Sequence, residues 1–145
     1  MGTWDVGPFD NDAAADWCGD LADATPADRP GRIRDALTAA TGDEYLDQDV
    51  AAAAIAAAAI VAAQLPGGSP IDSSYAPDFL LEGGAIEVPP DIPPLALSAL
   101  DRVVDDDSEW RELWEDAPES YQGALEVLRS IRAPLERAAA AHPDR

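Results

Sequence analysis

The sequence predicts an all-α protein: a single-domain bundle of five or six helices around a buried Ala-rich central helix, with one long Pro/Gly-rich loop. Residues 50–63 are apolar on every side of a helix, as in a central buried element. Elsewhere, apolar residues recur at spacings of three and four, which is the helical period. A chain of 145 residues can bury a core as one domain. We therefore treat residues 1–145 as a single all-helical domain, with residues 142–145 as a flexible tail.

The first two helices are predicted from their capping residues. Asp10-Asn11-Asp12 begins the first helix, because Asp and Asn side chains accept hydrogen bonds from the first backbone amides, and it runs to about Asp23. Pro30 is placed in the first turn of the second helix, which Gly42 ends. The predicted apolar face of this second helix consists of Ile33, Ala36, Leu37 and Ala40.

The stretch "DEYLDQDVAAAAIAAAAIVAAQLPGG" is predicted to form the central helix. Alanine has the highest helix propensity, and Pro66-Gly67-Gly68 stops the helix. Its apolar part is too short to span a bilayer. Residues 66–94 contain seven of the thirteen prolines, so they are predicted to form a long connection.

Three more helices are predicted after this connection. Pro93-Pro94 opens the first of them, and its inward-facing residues are Leu97, Leu100 and Val104. Ser108 caps the next, which places Trp110, Leu113 and Trp114 on one face. The last begins at about Pro118, and Pro134 predicts a kink or a break in it. Its apolar stripe consists of Tyr121, Leu125, Leu128, Ile131 and Leu135.

The charge is strongly negative, with 29 acidic residues against nine basic ones and a net charge of −20. All nine basic residues are arginine, and they form no basic stripe, so binding to nucleic acid or to an anionic membrane surface is not expected. A basic protein partner fits this charge. The alternative is that the acidity serves solubility or adaptation to high salt, in which case thermal stability rises as salt screens the repulsion.

The reactive side chains exclude several kinds of catalysis. Without lysine there is no Schiff base, and zinc sites need clusters of Cys and His that this chain lacks. His142 lies in the tail, where a general base is poorly held. Cys18 is predicted to face a helix interface, and a single cysteine allows no internal disulfide, which fits the cytoplasm. We therefore predict no catalytic residues, no metal and no cofactor.

The N-terminal stretch "GTWDVGPFDNDAAADW" combines aromatic and acidic residues. One interpretation is structural: Trp4 and Phe9 pin the terminus to the helices while the acids cap the first helix. The other is functional, with an aromatic patch rimmed by acids as a recognition surface. The candidate binding residues are Trp4, Asp5, Phe9, Asp10, Asn11, Asp12 and Asp16. Asp12 and Asp16 share a helix face, and oxygen clusters suit magnesium or calcium.

Three stretches, the opening one together with "AAAAIVAAQLPGGSPID" and "DRVVDDDSEWRELWED", closely resemble the family known as domain of unknown function 4259, common in actinobacteria. The likeness spans nearly the whole chain. Some members carry cysteine at the position of Leu65 and phenylalanine at that of Trp17, which are packing changes. The resemblance implies a cytoplasmic bacterial protein and brings no established activity or catalytic residues.

Two functional hypotheses follow from these features. The first is a non-enzymatic, acidic protein-binding domain, an inhibitor or immunity-type partner of a basic protein. It rests on the net charge and on the run from Asp105 to Glu119, which is expected to be exposed. This run contains eight acidic residues and one basic residue, Arg111. The alternative is an enzyme or sensor that binds a divalent cation through Asp5, Asp10, Asp12 and Asp16. The oligomeric state stays open.

Overall fold

The computed structural model describes residues 12–42, 45–65, 88–105 and 107–140. These residues form six helices and no strand: α1 (Asp12–Asp23), α2 (Arg29–Ala40), α3 (Gln48–Gln64), α4 (Ile92–Val103), α5 (Glu109–Glu115) and α6 (Pro118–Ala140). The predicted all-α bundle is confirmed. No helix in these ranges combines the length and the apolar character needed to cross a bilayer.

Helix α3 is the centre of the bundle, as its alanine-rich sequence predicts. It packs against each of the other five helices. Its buried residues are Ala51, Ala52, Ala54, Ile55, Ala56, Ala57, Ala58, Ala59, Ile60, Val61 and Ala62. Since interiors are packed as densely as crystals, the short methyl side chains of α3 let its neighbours approach closely.

The start of α3 differs from the predicted helix, which included the residues before Gln48. Tyr45 and Leu46 lie outside the helix, and Asp47 is its extended N-cap. The Asp47 carboxylate accepts a hydrogen bond of 2.9 Å from the backbone N–H of Asp49. Such a cap satisfies an amide that has no partner within the helix, so α3 begins here. The predicted stop is confirmed, because α3 ends at Gln64.

Helices α1 and α2 match their predicted spans. Pro30 lies in the first turn of α2, and three residues of the predicted face, Ile33, Leu37 and Ala40, are buried while Ala36 is partly buried. Arg29 joins the two helices by donating from Nε to the carbonyl of Leu21 at 3.2 Å and from Nη2 to that of Ala22 at 3.0 Å. It thus satisfies carbonyls that the end of α1 leaves without helical partners. The predicted caps Asp10 and Asn11 lie outside the described residues.

The buried face of α4 is wider than predicted. Leu100 is buried as expected, whereas Leu97 and Val104 are only partly buried. The cause is that α4 packs against α2, α3 and α6 together. Its buried residues are Ile92, Pro93, Ala96, Ala99, Leu100 and Val103. The predicted connection over residues 66–94 lies outside the described residues up to residue 87, and its last three residues already belong to α4.

The aromatic face predicted for α5 is correct for its tryptophans and wrong for Leu113. Trp110 is buried, and its ring centroid lies 6.1 Å from that of Trp114 and 6.2 Å from that of Tyr121 on α6. These tilted and edge-on contacts are the favoured aromatic geometries. Leu113 is instead 38% exposed.

Helix α6 continues through Pro134, so of the predicted kink or break the break does not occur, and the kink stays a prediction. Pro134 lacks the N–H that would bond to the carbonyl of Ser130, but its ring is buried in the core beside Leu135. Leu128, Ile131 and Leu135 are buried as predicted, whereas Tyr121 and Leu125 are partly buried. The same face also buries Ala124.

Because α3 packs closely on all its neighbours, enlarging a buried alanine should destabilise the protein. Ala57 has no exposed surface, so we expect Ala57→Leu to lower the free energy of unfolding by about 1–3 kcal/mol through overpacking. Ala53, a partly exposed residue of the same helix, provides the matched control, and Ala53→Leu should cost much less. Urea unfolding of both variants measures this difference. Equal tolerance of the two leucines would contradict the close packing.

Candidate functional site

The candidate residues of the N-terminal stretch fall mostly beyond the described part of the chain. Trp4, Asp5, Phe9, Asp10 and Asn11 lie outside it. Asp12 is the first residue of α1, and Asp16 is exposed one turn later. A recognition surface built from these seven residues therefore stays a prediction.

The hypothesis of a divalent-cation site also stays a prediction. Among the described residues, no three or more His, Cys, Asp or Glu side chains are grouped so that they could hold a metal ion. Asp5 and Asp10, which the hypothesis requires beside Asp12 and Asp16, are not among those residues.

Cys18 lies in a helix interface, as its sequence context predicts. The side chain is 1% exposed and belongs to the hydrophobic core. Burial raises the pKa of its thiol from 9.0 to about 12, because the core disfavours the charged thiolate. Since the thiolate is the reactive form, Cys18 is a packing residue.

The burial of Cys18 predicts low thiol reactivity in the folded protein. At pH 8 we expect Ellman's reagent to modify native Cys18 at least about a hundredfold more slowly than the urea-unfolded chain, because both access and thiolate are lacking. Absorbance at the released thionitrobenzoate maximum follows the reaction. Comparable rates in the folded and unfolded states would show that this thiol is not held in the core.

The most elaborate polar arrangement joins the segment before α3 to the start of α5. Leu46 and Ser108 form an isolated parallel β-bridge. The backbone N–H of Leu46 donates to the carbonyl of Asp107 at 2.7 Å, and that of Glu109 donates to the carbonyl of Leu46 at 2.9 Å. Leu46 and Ser108 are both buried, so the bridge fixes α5 against the entrance to α3.

Side-chain caps reinforce this junction from both sides. The Glu109 carboxylate accepts a hydrogen bond of 2.9 Å from the N–H of Gln48, the first residue of α3, beside the cap from Asp47. Carboxylates are favourable at this end of a helix because its dipole is positive there. Ser108 Oγ accepts from the N–H of Arg111 at 3.4 Å, which confirms the predicted cap of α5.

Tyr45 lies over this junction with its ring in solvent. Its side chain is 53% exposed, and its hydroxyl donates a hydrogen bond of 2.7 Å to Glu112 of α5. This bond, with the negative charges of Glu112, Glu109 and Asp47, raises the pKa of Tyr45 from 10.0 to about 12. The hydroxyl is thus held as a donor toward α5 at neutral pH.

We call the carboxylates around Tyr45 and along α5 the acidic face: Asp47, Glu109, Glu112, Glu115 and Asp116. All are exposed except Glu109, which is partly buried. Arg111 lies among them, pairs with Glu115 at 3.3 Å, and donates to the carbonyl of Val104 at 3.0 Å. The face is therefore strongly negative.

Two exposed apolar side chains occupy the acidic face. Within the described ranges, Tyr45 and Leu113 are the large hydrophobic residues with substantial exposure. Glu109, Glu112 and Leu113 occupy positions i, i+3 and i+4 of α5, which share one side of a helix. Since Glu109 and Glu112 both reach the segment 45–48, Leu113 lies on the side of α5 that carries Tyr45.

The sequence predicts only the part of this face that lies on and beside α5. The run from Asp105 to Glu119 is predicted to be exposed, and its described acids are exposed apart from Glu109, although Ser108 and Trp110 within it are buried and Asp106 lies outside the described residues. Tyr45 is absent from that prediction, because the predicted central helix includes it. An N-capping Asp47 before the alanine run was the signal that Tyr45 precedes the helix.

The fold and this face together define a small all-helical domain with an acidic surface that surrounds exposed apolar side chains. The chain belongs to the family described as Domain of unknown function (DUF4259), whose model matches residues 2–126. The match ends within α6, so the buried Leu128, Ile131 and Leu135 complete the same core beyond it. The resemblance seen in the sequence is confirmed. No curated protein and no solved structure matches the chain.

The Tyr45–Glu112 hydrogen bond predicts a measurable titration. Glu112→Gln should move the pKa of Tyr45 from about 12 back toward 10.0, because the charged acceptor is removed. Since folding raises this pKa, the bond stabilises the protein fully below pH 10.0, and the contribution is lost as the pH rises through about 12. Tyrosinate absorbance against pH measures the shift, and Tyr45→Phe identifies which signal is that of Tyr45. An unchanged titration in Glu112→Gln would disprove the bond.

Proposed function

We propose that this protein is a non-enzymatic binding domain whose acidic face contacts a basic protein, in the manner of an inhibitor or immunity-type partner. The supporting observation is the acidic face itself, in which the carboxylates of α5, its C-cap and the α3 entrance accompany exposed Tyr45 and Leu113. A chain with a single cysteine fits a reducing compartment, so we propose that the two proteins meet in the cytoplasm.

The charge favours a basic partner in two ways. A net charge of −20 draws a cationic protein toward the whole molecule and accelerates their encounter. The acidic face then supplies local complementarity, which fixes the orientation and excludes acidic competitors. Both effects weaken as salt screens the charges.

The rigidity of the acidic face also suits binding. Glu109, Glu112 and Glu115 lie on α5, which the Leu46–Ser108 bridge and the carboxylate of Glu109 attach to the start of α3. A backbone that is fixed before binding loses less conformational entropy when a partner binds. The backbone that carries these carboxylates is therefore fixed to the centre of the bundle.

A comparison of charge variants tests this proposal. The triple variant Glu112→Gln, Glu115→Gln, Asp116→Asn removes three of the five carboxylates of the acidic face. Asp47 and Glu109 are left in place, so α3 keeps its caps. Immobilised wild-type protein should recover a specific basic protein from the native lysate at low salt, and the variant should recover at least about tenfold less. Quantitative mass spectrometry of the eluates, repeated at increasing salt, measures the recovery.

The matched control removes three charges elsewhere. Asp20, Asp23 and Asp28 are exposed on α1 and before α2, and changing all three to Asn gives the same net charge as the test variant. This control should recover the partner as well as wild type does. The proposal fails if wild type recovers no basic protein, or if both triple variants lose recovery equally, since general charge would then suffice. Thermal melting confirms that both variants fold.

A further inference from the structure

The position of Tyr45 within the acidic face carries an inference about the partner, and it rests on the proposed function. Tyr45 is 53% exposed, and a 2.7 Å hydrogen bond from its hydroxyl to Glu112 holds the side chain. Tyrosines of this kind contribute much of the binding energy at protein interfaces, because they are large and lose little conformational entropy.

The surroundings of the ring select a cation. Glu112 accepts the hydrogen bond of the Tyr45 hydroxyl at 2.7 Å. Asp47 and Glu109 accept from the N–H groups of Asp49 and Gln48 in the segment that follows Tyr45, so three carboxylates lie close to this tyrosine. Leu113 adds exposed apolar surface on the same side of α5. A purely apolar side chain that covered Tyr45 would also desolvate those charges, which is costly without a counter-charge. Charge complementarity therefore requires a cationic group beside the ring.

Arginine satisfies all of these constraints at once. Its planar guanidinium stacks on aromatic faces and donates paired hydrogen bonds to carboxylates, and its methylene stem covers apolar surface. Lysine matches the charge, but its compact and strongly hydrated ammonium group stacks less well. We propose that Tyr45 and Leu113 form the docking position for an arginine side chain of the basic partner, with Glu112 as its carboxylate ligand.

Two synthetic peptides test this proposal with the full-length chain. They are capped at both ends and identical, except that one carries four arginines and the other four lysines. Calorimetric titration at low salt should show that wild type binds the arginine peptide about three- to fivefold more tightly, the range expected for an exposed cation–aromatic contact. Amide NMR shifts should concentrate at residues 45–48 and 109–113, with those of α1 unchanged.

Variants at the docking position distinguish the contribution of the Tyr45 ring to binding from that of its hydroxyl. Tyr45→Ala should abolish the arginine preference and leave lysine-peptide binding within about twofold, whereas Tyr45→Phe should keep most of the preference because the ring remains. Leu113→Ala should weaken arginine-peptide binding by about twofold through lost contact with the stem. Melting curves show that each variant folds, as expected for exposed positions.

The outcomes distinguish this inference from the proposed function. Equal affinities for the two peptides in wild type, or a preference that survives in Tyr45→Ala, would overturn the arginine docking position and leave the acidic face as a general site for basic proteins. If neither peptide bound to the wild-type protein at low salt, both proposals would be overturned.

Discussion

The close approach of helices to α3 is the constraint on which the rest of the fold depends. Each of the other five helices packs against α3, and eight of its eleven buried residues are alanine. Alanine has no side-chain rotamers to lose on burial, so most of the buried positions of α3 cost backbone entropy alone. Apart from Ile60 and Val61 of α3, the largest fully buried side chains, among them Leu21, Leu37, Leu100 and Leu135, lie outside this helix. The shape of the bundle is therefore set by how closely the surrounding helices pack against α3.

The entrance to α3 links this constraint to the surface. A buried helix exposes unsatisfied amides and a positive dipole at its first turn, and carboxylates satisfy both. Asp47 supplies one from within the segment, while Glu109 supplies the other from α5. Part of the negative charge near Tyr45 thus stabilises the fold. The contact between Glu109 and Gln48 also brings the other carboxylates of α5 close to the start of α3. The acids that cap the fold and those of the proposed binding surface therefore belong to one group.

The sequence predicted elements better than it predicted faces. Helix spans followed from local signals such as Asp, Ser and Pro near helix starts and the Pro-Gly stop after Gln64, which act within a few residues. The inward residues of α4 and the exposure of Leu113 depend on which helices pack alongside, and spacing carries no information about that. The acid run of α5 was visible because charge is a property of composition. Its union with Tyr45 was not, because that contact joins positions far apart in the chain.

The two segments that form the acidic face are far apart in the chain, so the face exists only in the folded protein. Gln48 and Glu109 are 61 positions apart, so no short stretch of the chain contains both sides of the acidic face. Loop closure over such a distance is entropically costly, so the two segments meet only when the helices between them have assembled. A nascent or partly unfolded chain carries the same net charge but lacks the arrangement around Tyr45. Recognition through this face would therefore discriminate the completed native state from every less ordered form of the same polypeptide.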